Sequence, residues 1–278
     1  MKILYATDGG PPAMQALHLL ESIAKRKGTS ITVATASQPG EGDGSDDLLT
    51  AVTTRLQAAG FSSQRRSLEG NAGSAILNEI RAGGYELTVM GAGNRSRVDR
   101  LLLGSVSTKV LHASPTSVMV VHGTKDLGDS AKVLLATDGS RPAEVAARQL
   151  VNFLEPTSCS IDVVSVAEVL MPEISFPIAR EAYAASAPTP EQEEAWTAAA
   201  RRYATEAASR LEASGYTSVA KARLGAPTIR LLDEAEETGA DLVMLGTNGL
   251  GALERALLGS VSDQVVRHAR ATYVAREP

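Results

Sequence analysis

The sequence predicts an α/β protein of two doubly wound domains, each a five-stranded parallel sheet with helices on both faces. Three observations predict it. First, the 278-residue chain repeats itself. Leu4-Tyr5-Ala6-Thr7-Asp8-Gly9 matches Leu134-Leu135-Ala136-Thr137-Asp138-Gly139 at an offset of 130. Gly91-Ala92-Gly93-Asn94 with Gly104-Ser105-Val106-Ser107 matches Gly246-Thr247-Asn248-Gly249 with Gly259-Ser260-Val261-Ser262 at an offset of 155. Second, short apolar runs alternate with segments of helical period, the pattern of a parallel sheet covered on both faces. Third, each repeat is long enough to bury its own core, so the copies read as two domains and not as solenoid units.

The second copy shows the elements best. Val133–Thr137 is the first strand. Ser140 is placed to cap the next helix, with Pro142 tolerated in its first turn. Ala143, Ala146, Ala147, Leu150 and Phe153 form its apolar face at helical spacing. Ile161–Val166 is the second strand. A long helix carrying Trp196, Ala200, Tyr203, Ala207 and Leu211 stops at Gly215, a natural helix-ending glycine. Ser218–Leu224 is the third strand, and a helix over Thr228–Glu237 ends at Gly239. Leu242–Leu245 is the fourth strand, a helix runs from Ser260 with that serine as its cap, and the last strand is Thr272–Ala275.

The domains are therefore 1–125 and 130–278, joined by a polar, Gly-containing linker around His122–Ser130. The two offsets differ by 25 residues, an insertion near 168–191 that follows the second strand. It is either a lid over the strand ends or a surface insertion without a ligand role.

Bulk properties narrow the class. No apolar run reaches the roughly 18 residues needed to span a bilayer. The chain enters a strand at Lys2-Ile3-Leu4, which leaves no room for a signal peptide and points to a cytoplasmic protein. Cys159 is the only cysteine and reads as a small core residue. The four histidines lack metal-ligand spacing. Residues 1–128 carry 13 basic and 11 acidic side chains, and the remainder 14 and 21, so neither half is basic enough for a nucleic-acid footprint.

The motif G-x2-G-x9-G-S, read over Gly246, Gly249, Gly259 and Ser260, follows a buried strand and opens a helix. Glycine lets backbone approach an anion, and the free amides at a helix start hold its charge. In a doubly wound sheet, ligands bind beyond the carboxyl ends of the strands. Asp138, Val166 and Gly246 end strands one, two and four, so they should meet. Asp138 suits ribose hydroxyls as an acceptor, or else simply caps the first helix. Gly246, Gly249, Gly259 and Ser260, followed by Val261 and Ser262, supply a phosphate cradle.

These residues resemble the ATP-binding signature of the universal stress protein family, of the tandem two-domain type. The resemblance covers nearly all of both halves except the insertion. It implies an adenine nucleotide alpha hydrolase-like fold. It also implies an aspartate after strand one, here in Asp138-Gly139-Ser140; a valine against adenine, here Val166; and phosphates on Gly246, Gly249, Gly259 and Ser260. Gly225-Ala226-Pro227 matches a further short family element. The expected role is an ATP-binding stress-response regulator, with Mg2+ carried on the phosphates.

The first half departs from that pattern. Asn94 stands in place of a motif glycine, Gly10 in place of Ser140, Ala36 in place of Val166, and Gly70-Asn71-Ala72 lacks the proline. Asp8, Gly91, Gly104 and Ser105 are kept as weaker candidates, with Arg95, Arg97 and Arg100 in the spacer. No P-loop, nucleophile elbow or kinase signature is present, so the expectation is binding with slow hydrolysis or autophosphorylation at most. The alternative is an interaction scaffold without nucleotide, working through dimerisation. Members of the family pair through the last strand, so Val118–Val121 and Thr272–Ala275 are expected to build an internal pseudo-dimer, with a homodimer also open.

Overall fold

The computed structural model describes residues 1–37, 44–93, 103–123, 130–168, 189–247 and 258–277. The first half runs β1 (Lys2–Ala6), α1 (Pro11–Ile23), β2 (Ser30–Ser37), α2 (Gly44–Ala58), β3 (Ser62–Glu69), α3 (Ala72–Gly83), β4 (Leu87–Gly91), α4 (Ser105–Ala113) and β5 (Ser117–Val121). The second runs β6 (Ala131–Ala136), α5 (Arg141–Phe153), β7 (Cys159–Glu168), α6 (Pro190–Ala213), β8 (Thr217–Gly225), α7 (Pro227–Thr238), β9 (Leu242–Gly246), α8 (Ser260–His268) and β10 (Ala271–Ala275). The linker at 124–129 and most of the insertion, 169–188, lie outside the described residues.

Within each half the strands are parallel, in the order β3-β2-β1-β4-β5 and β8-β7-β6-β9-β10. The halves are not separate sheets. β5 and β10 pair antiparallel, Ala271 opposite Val121 and Val274 opposite Val118, and ten strands form one continuous sheet. The reason lies in the two strands themselves: all five residues of each are buried, and each would otherwise be an apolar unpaired edge.

Helix starts and stops follow local chemistry. The Oγ of Ser140 accepts the Ala143 N–H (3.5 Å) at the start of α5. Thr189 and Gln192 form a reciprocal capping box on α6. Gly239 ends α7 in the left-handed conformation at φ 68°. On α6, Ala200, Ala207 and Leu211 are buried as their spacing requires, whereas Trp196 is 44% exposed on the helix's first turns.

One apolar layer lies under α1, α2, α5 and α6 and runs through both halves, with the Phe153 and Tyr273 rings 5.7 Å apart. On the opposite face α3 and α4 cover the first half and α7 and α8 the second, with Val266 of α8 and Val274 of β10 packed into the first half's layer. Reciprocal contacts stitch the halves. Lys25 N–H donates to Phe153 O (2.8 Å), and Glu155 N–H donates to Ile23 O (2.8 Å). Arg276 donates to Leu111 O at the end of α4 (2.6 Å), and the His122 ring bonds Val266 O near the end of α8 (2.7 Å). Burial lowers the Arg276 guanidinium to about 10. Cys159 opens β7 in the core, and burial, helped by Glu155, pushes its thiol up to about 11. Among the described residues no helix is long and apolar enough to cross a membrane.

Candidate nucleotide site

The carboxyl ends of β6, β7 and β9 open onto a cavity of about 350 Å3. This is the side of a doubly wound sheet on which its crossovers leave a crevice. Asp138 enters from the β6 end, Val164, Val166 and Glu168 from β7, Gly246 and Thr247 from β9, and Gly259 to Ser262 from the start of α8. Pro227 and Leu231 of α7 close the apolar side. So Asp138, Val166, Gly246, Gly259, Ser260, Val261 and Ser262 come together. Gly249 lies outside the described residues, as do Asn94, Arg95, Arg97 and Arg100.

Asp138 does not cap α5. Its Oδ1 accepts the Ser140 N–H at 2.9 Å and closes the turn, while Ser140 itself takes the capping position. The turn needs Gly139 at φ 74°, and the Tyr203 ring of α6 packs where a side chain on Gly139 would stand.

One expectation needs correction, and one gains a second cause. Ser260 is not the cap of α8. Gly259 occupies the extended capping position (φ −64°, ψ 154°), and no side chain caps the helix. Ser260 is already the first helical residue. Its backbone has turned helical, so the Oγ does not sit where a cap reaches the second and third amides. The first-turn amides are therefore left open to an anion. Ser262 Oγ instead donates to Gly246 O (2.9 Å) and ties α8 to the end of β9.

The second cause concerns Gly246. A Cβ there would lie 2.4 Å from both the C and O atoms of Pro142. Its missing side chain lets β9 pass against the start of α5, so packing alone already requires glycine at this cavity-lining position. Gly91 repeats this, with a Cβ 2.5 Å from the Ala13 nitrogen.

The first half holds a matching cavity of about 330 Å3, lined by Asp8, Gly91, Gly93, Gly104 and Ser105. Asp8 Oδ1 accepts the Gly10 N–H at 2.9 Å, as Asp138 does in its own turn. Gly104 caps α4 without a side-chain bond, as Gly259 caps α8. Ala36 and Ala72, in place of Val166 and Pro227, have not closed this cavity.

Charge near the second cradle is balanced locally. Asp263, in the first turn of α8, is held by Arg267 at 2.8 and 3.0 Å and lies 3.7 Å from the His112 ring. Among the described residues no group of three or more His, Cys, Asp or Glu side chains could hold a metal ion. Sequence reasoning overlooked Val164, Glu168, Pro227 and Leu231 as cavity residues. The signal for two of them was present: Val164, Val166 and Glu168 alternate along one face of β7.

The fold and its two strand-end cavities define a tandem α/β protein of doubly wound halves joined edge to edge. The chain belongs to the universal stress protein family, whose profile matches residues 1–122 and 130–274. A universal stress protein of Mycolicibacterium smegmatis is 32% identical over 197 residues, covering 69% of this chain and 62% of that relative. The chain thus spans less than two thirds of that relative's length. The crystal structure of a universal stress protein from Archaeoglobus fulgidus, 20% identical, matches 99% of this chain and 96% of its own with a TM-score of 0.65, a likeness of fold. A family protein from Arabidopsis thaliana was solved with AMP bound; it is 15% identical, covers 43% of this chain and 90% of its own, and has a TM-score of 0.34.

Proposed function

We propose that this protein binds ATP in its second-half cavity and acts as a cytoplasmic stress-response regulator whose state follows nucleotide occupancy. The observation that carries the reading is the uncapped start of α8 opening into a cavity of about 350 Å3 whose opposite wall is apolar. Phosphates would take the first-turn amides, where the helix dipole favours negative charge. Asp138 would accept from the ribose hydroxyls, and Val164, Val166 and Pro227 would face the base. Mg2+ would ride on the phosphates, since among the described residues no acidic cluster is at hand to hold it.

The test is ATP titration calorimetry on wild type and Ser260→Glu. A carboxylate at the first helical position suits the helix dipole, so the variant should fold while repelling phosphate. A strongly weakened ATP affinity with unchanged thermal unfolding supports the reading. Unchanged ATP affinity contradicts it.

The antiparallel pairing of β5 with β10 favours a second, compatible role. The halves would act as an internal pseudo-dimer, presenting both cavities on one rigid body for a partner to read. A homodimer through the outer edges would be tested by sedimentation with and without ATP.

A further inference from the structure

Among the described residues, Glu168 is the one charged side chain on the apolar side of the second cavity. It is the last residue of β7 and shares a strand face with Val164 and Val166, because side chains two apart point the same way. All three line the cavity. Glu168 is exposed at its mouth, and among the described residues it has neither an ion-pair nor a hydrogen-bond partner.

Its place relative to the phosphate end is set by the strand order. β7 and β9 flank β6, so Glu168 stands about two strand spacings, roughly 10 Å, from the strand that leads into the cradle. That separation is about a Debye length at physiological salt, so its charge weighs little on phosphates at the far end. It is also about the distance from a nucleotide's phosphates to the edge of its base. A carboxylate has acceptors only. Facing a base edge, it favours an exocyclic amino group and gains nothing from a bare C–H.

Resting on the nucleotide reading above, we propose that Glu168 is a specificity-determining residue that accepts a hydrogen bond from the exocyclic amino group of adenine. In the first half Ala34 and Ala36 occupy the places of Val164 and Val166, and the next position on that face, Gln38, lies outside the described residues.

The experiment compares ATP with purine riboside 5′-triphosphate, which differs only by the missing amino group, on wild type, Glu168→Ala and Glu168→Gln. Wild type should prefer ATP about three- to tenfold, the range of one net hydrogen bond. Glu168→Ala should bind both equally, with its affinity for purine riboside triphosphate unchanged. Glu168→Gln, whose amide oxygen still accepts, should recover part of the preference. A preference that survives in Glu168→Ala, or a wild type that binds both alike, overturns this inference while leaving the nucleotide site intact. Failure of wild type to bind either ligand overturns the parent reading instead.

Discussion

The two cavities share their polar rim and differ in their apolar wall. Asp8 and Asp138 close the same turn with the same 2.9 Å bond, and α4 and α8 both start uncapped behind a glycine. Yet Val164, Val166 and Pro227 in the second cavity are Ala34, Ala36 and Ala72 in the first. The polar groups needed for an anion follow from the strand–turn–helix geometry, which both halves must keep in order to fold. The surface that grips a flat apolar base is free to vary. Occupancy should therefore divide between the halves by dispersion and burial, not by charge.

The comparison can be broken first at the packing glycines. Gly246→Ala and Gly91→Ala should each destabilise the protein by about 1–3 kcal/mol, because each drives a Cβ into helix backbone. Chemical denaturation should show similar losses for the two. A loss confined to Gly246 would mean that the halves are not built alike.

Ser260→Glu should weaken ATP by about 2 kcal/mol, roughly thirtyfold, since two phosphate charges would meet a carboxylate at close range in a wet site. Ser105→Glu should leave the strongest site unchanged in the same calorimetric titration. Next, Val166→Ala should weaken ATP by about 1.5 kcal/mol from two buried carbons. The reciprocal Ala36→Val should strengthen any binding in the first half, read by competition with a fluorescent nucleotide.

The smallest effect separates the cores. Cys159 opens β7, while Thr29 holds the corresponding place before β2. The folded thiol titrates near 11 against an ordinary 9.0, so between those values the unfolded chain has lost a proton that the folded one retains. Stability must fall as pH rises through that window. At pH 10 the loss should be about 1 kcal/mol relative to pH 8, and Cys159→Ala should abolish that part of the slope in denaturant melts.

Much of this was legible in the sequence, for reasons that residues make plain. Val133, Leu135 and Ile161 announce strands, while Gly215 and Gly239 stop helices because only a left-handed backbone fits there. The meeting of Asp138, Val166 and Gly246 follows from parallel topology alone. The cause of Gly246 was not legible, since its partner, Pro142, lies about a hundred residues earlier and on another element. Nor was the cap of α8, because glycine and serine are both good caps and only the backbone angles of Gly259 decide between them. Long-range ion pairs were equally hidden. Lys221 meets Asp162 of the neighbouring strand at 3.0 Å through register and Glu234 of α7 at 2.9 Å through helix packing, and no local pattern encodes either.

The central claim, one working adenine-nucleotide site in the second half, is tested most directly by counting ATP bound per chain in wild type, Ser260→Glu and Ser105→Glu. The account predicts one ATP in wild type, one of the same affinity in Ser105→Glu, and in Ser260→Glu one held about thirtyfold more weakly. Two per chain, loss in Ser105→Glu alone, or no binding at millimolar ATP would contradict it.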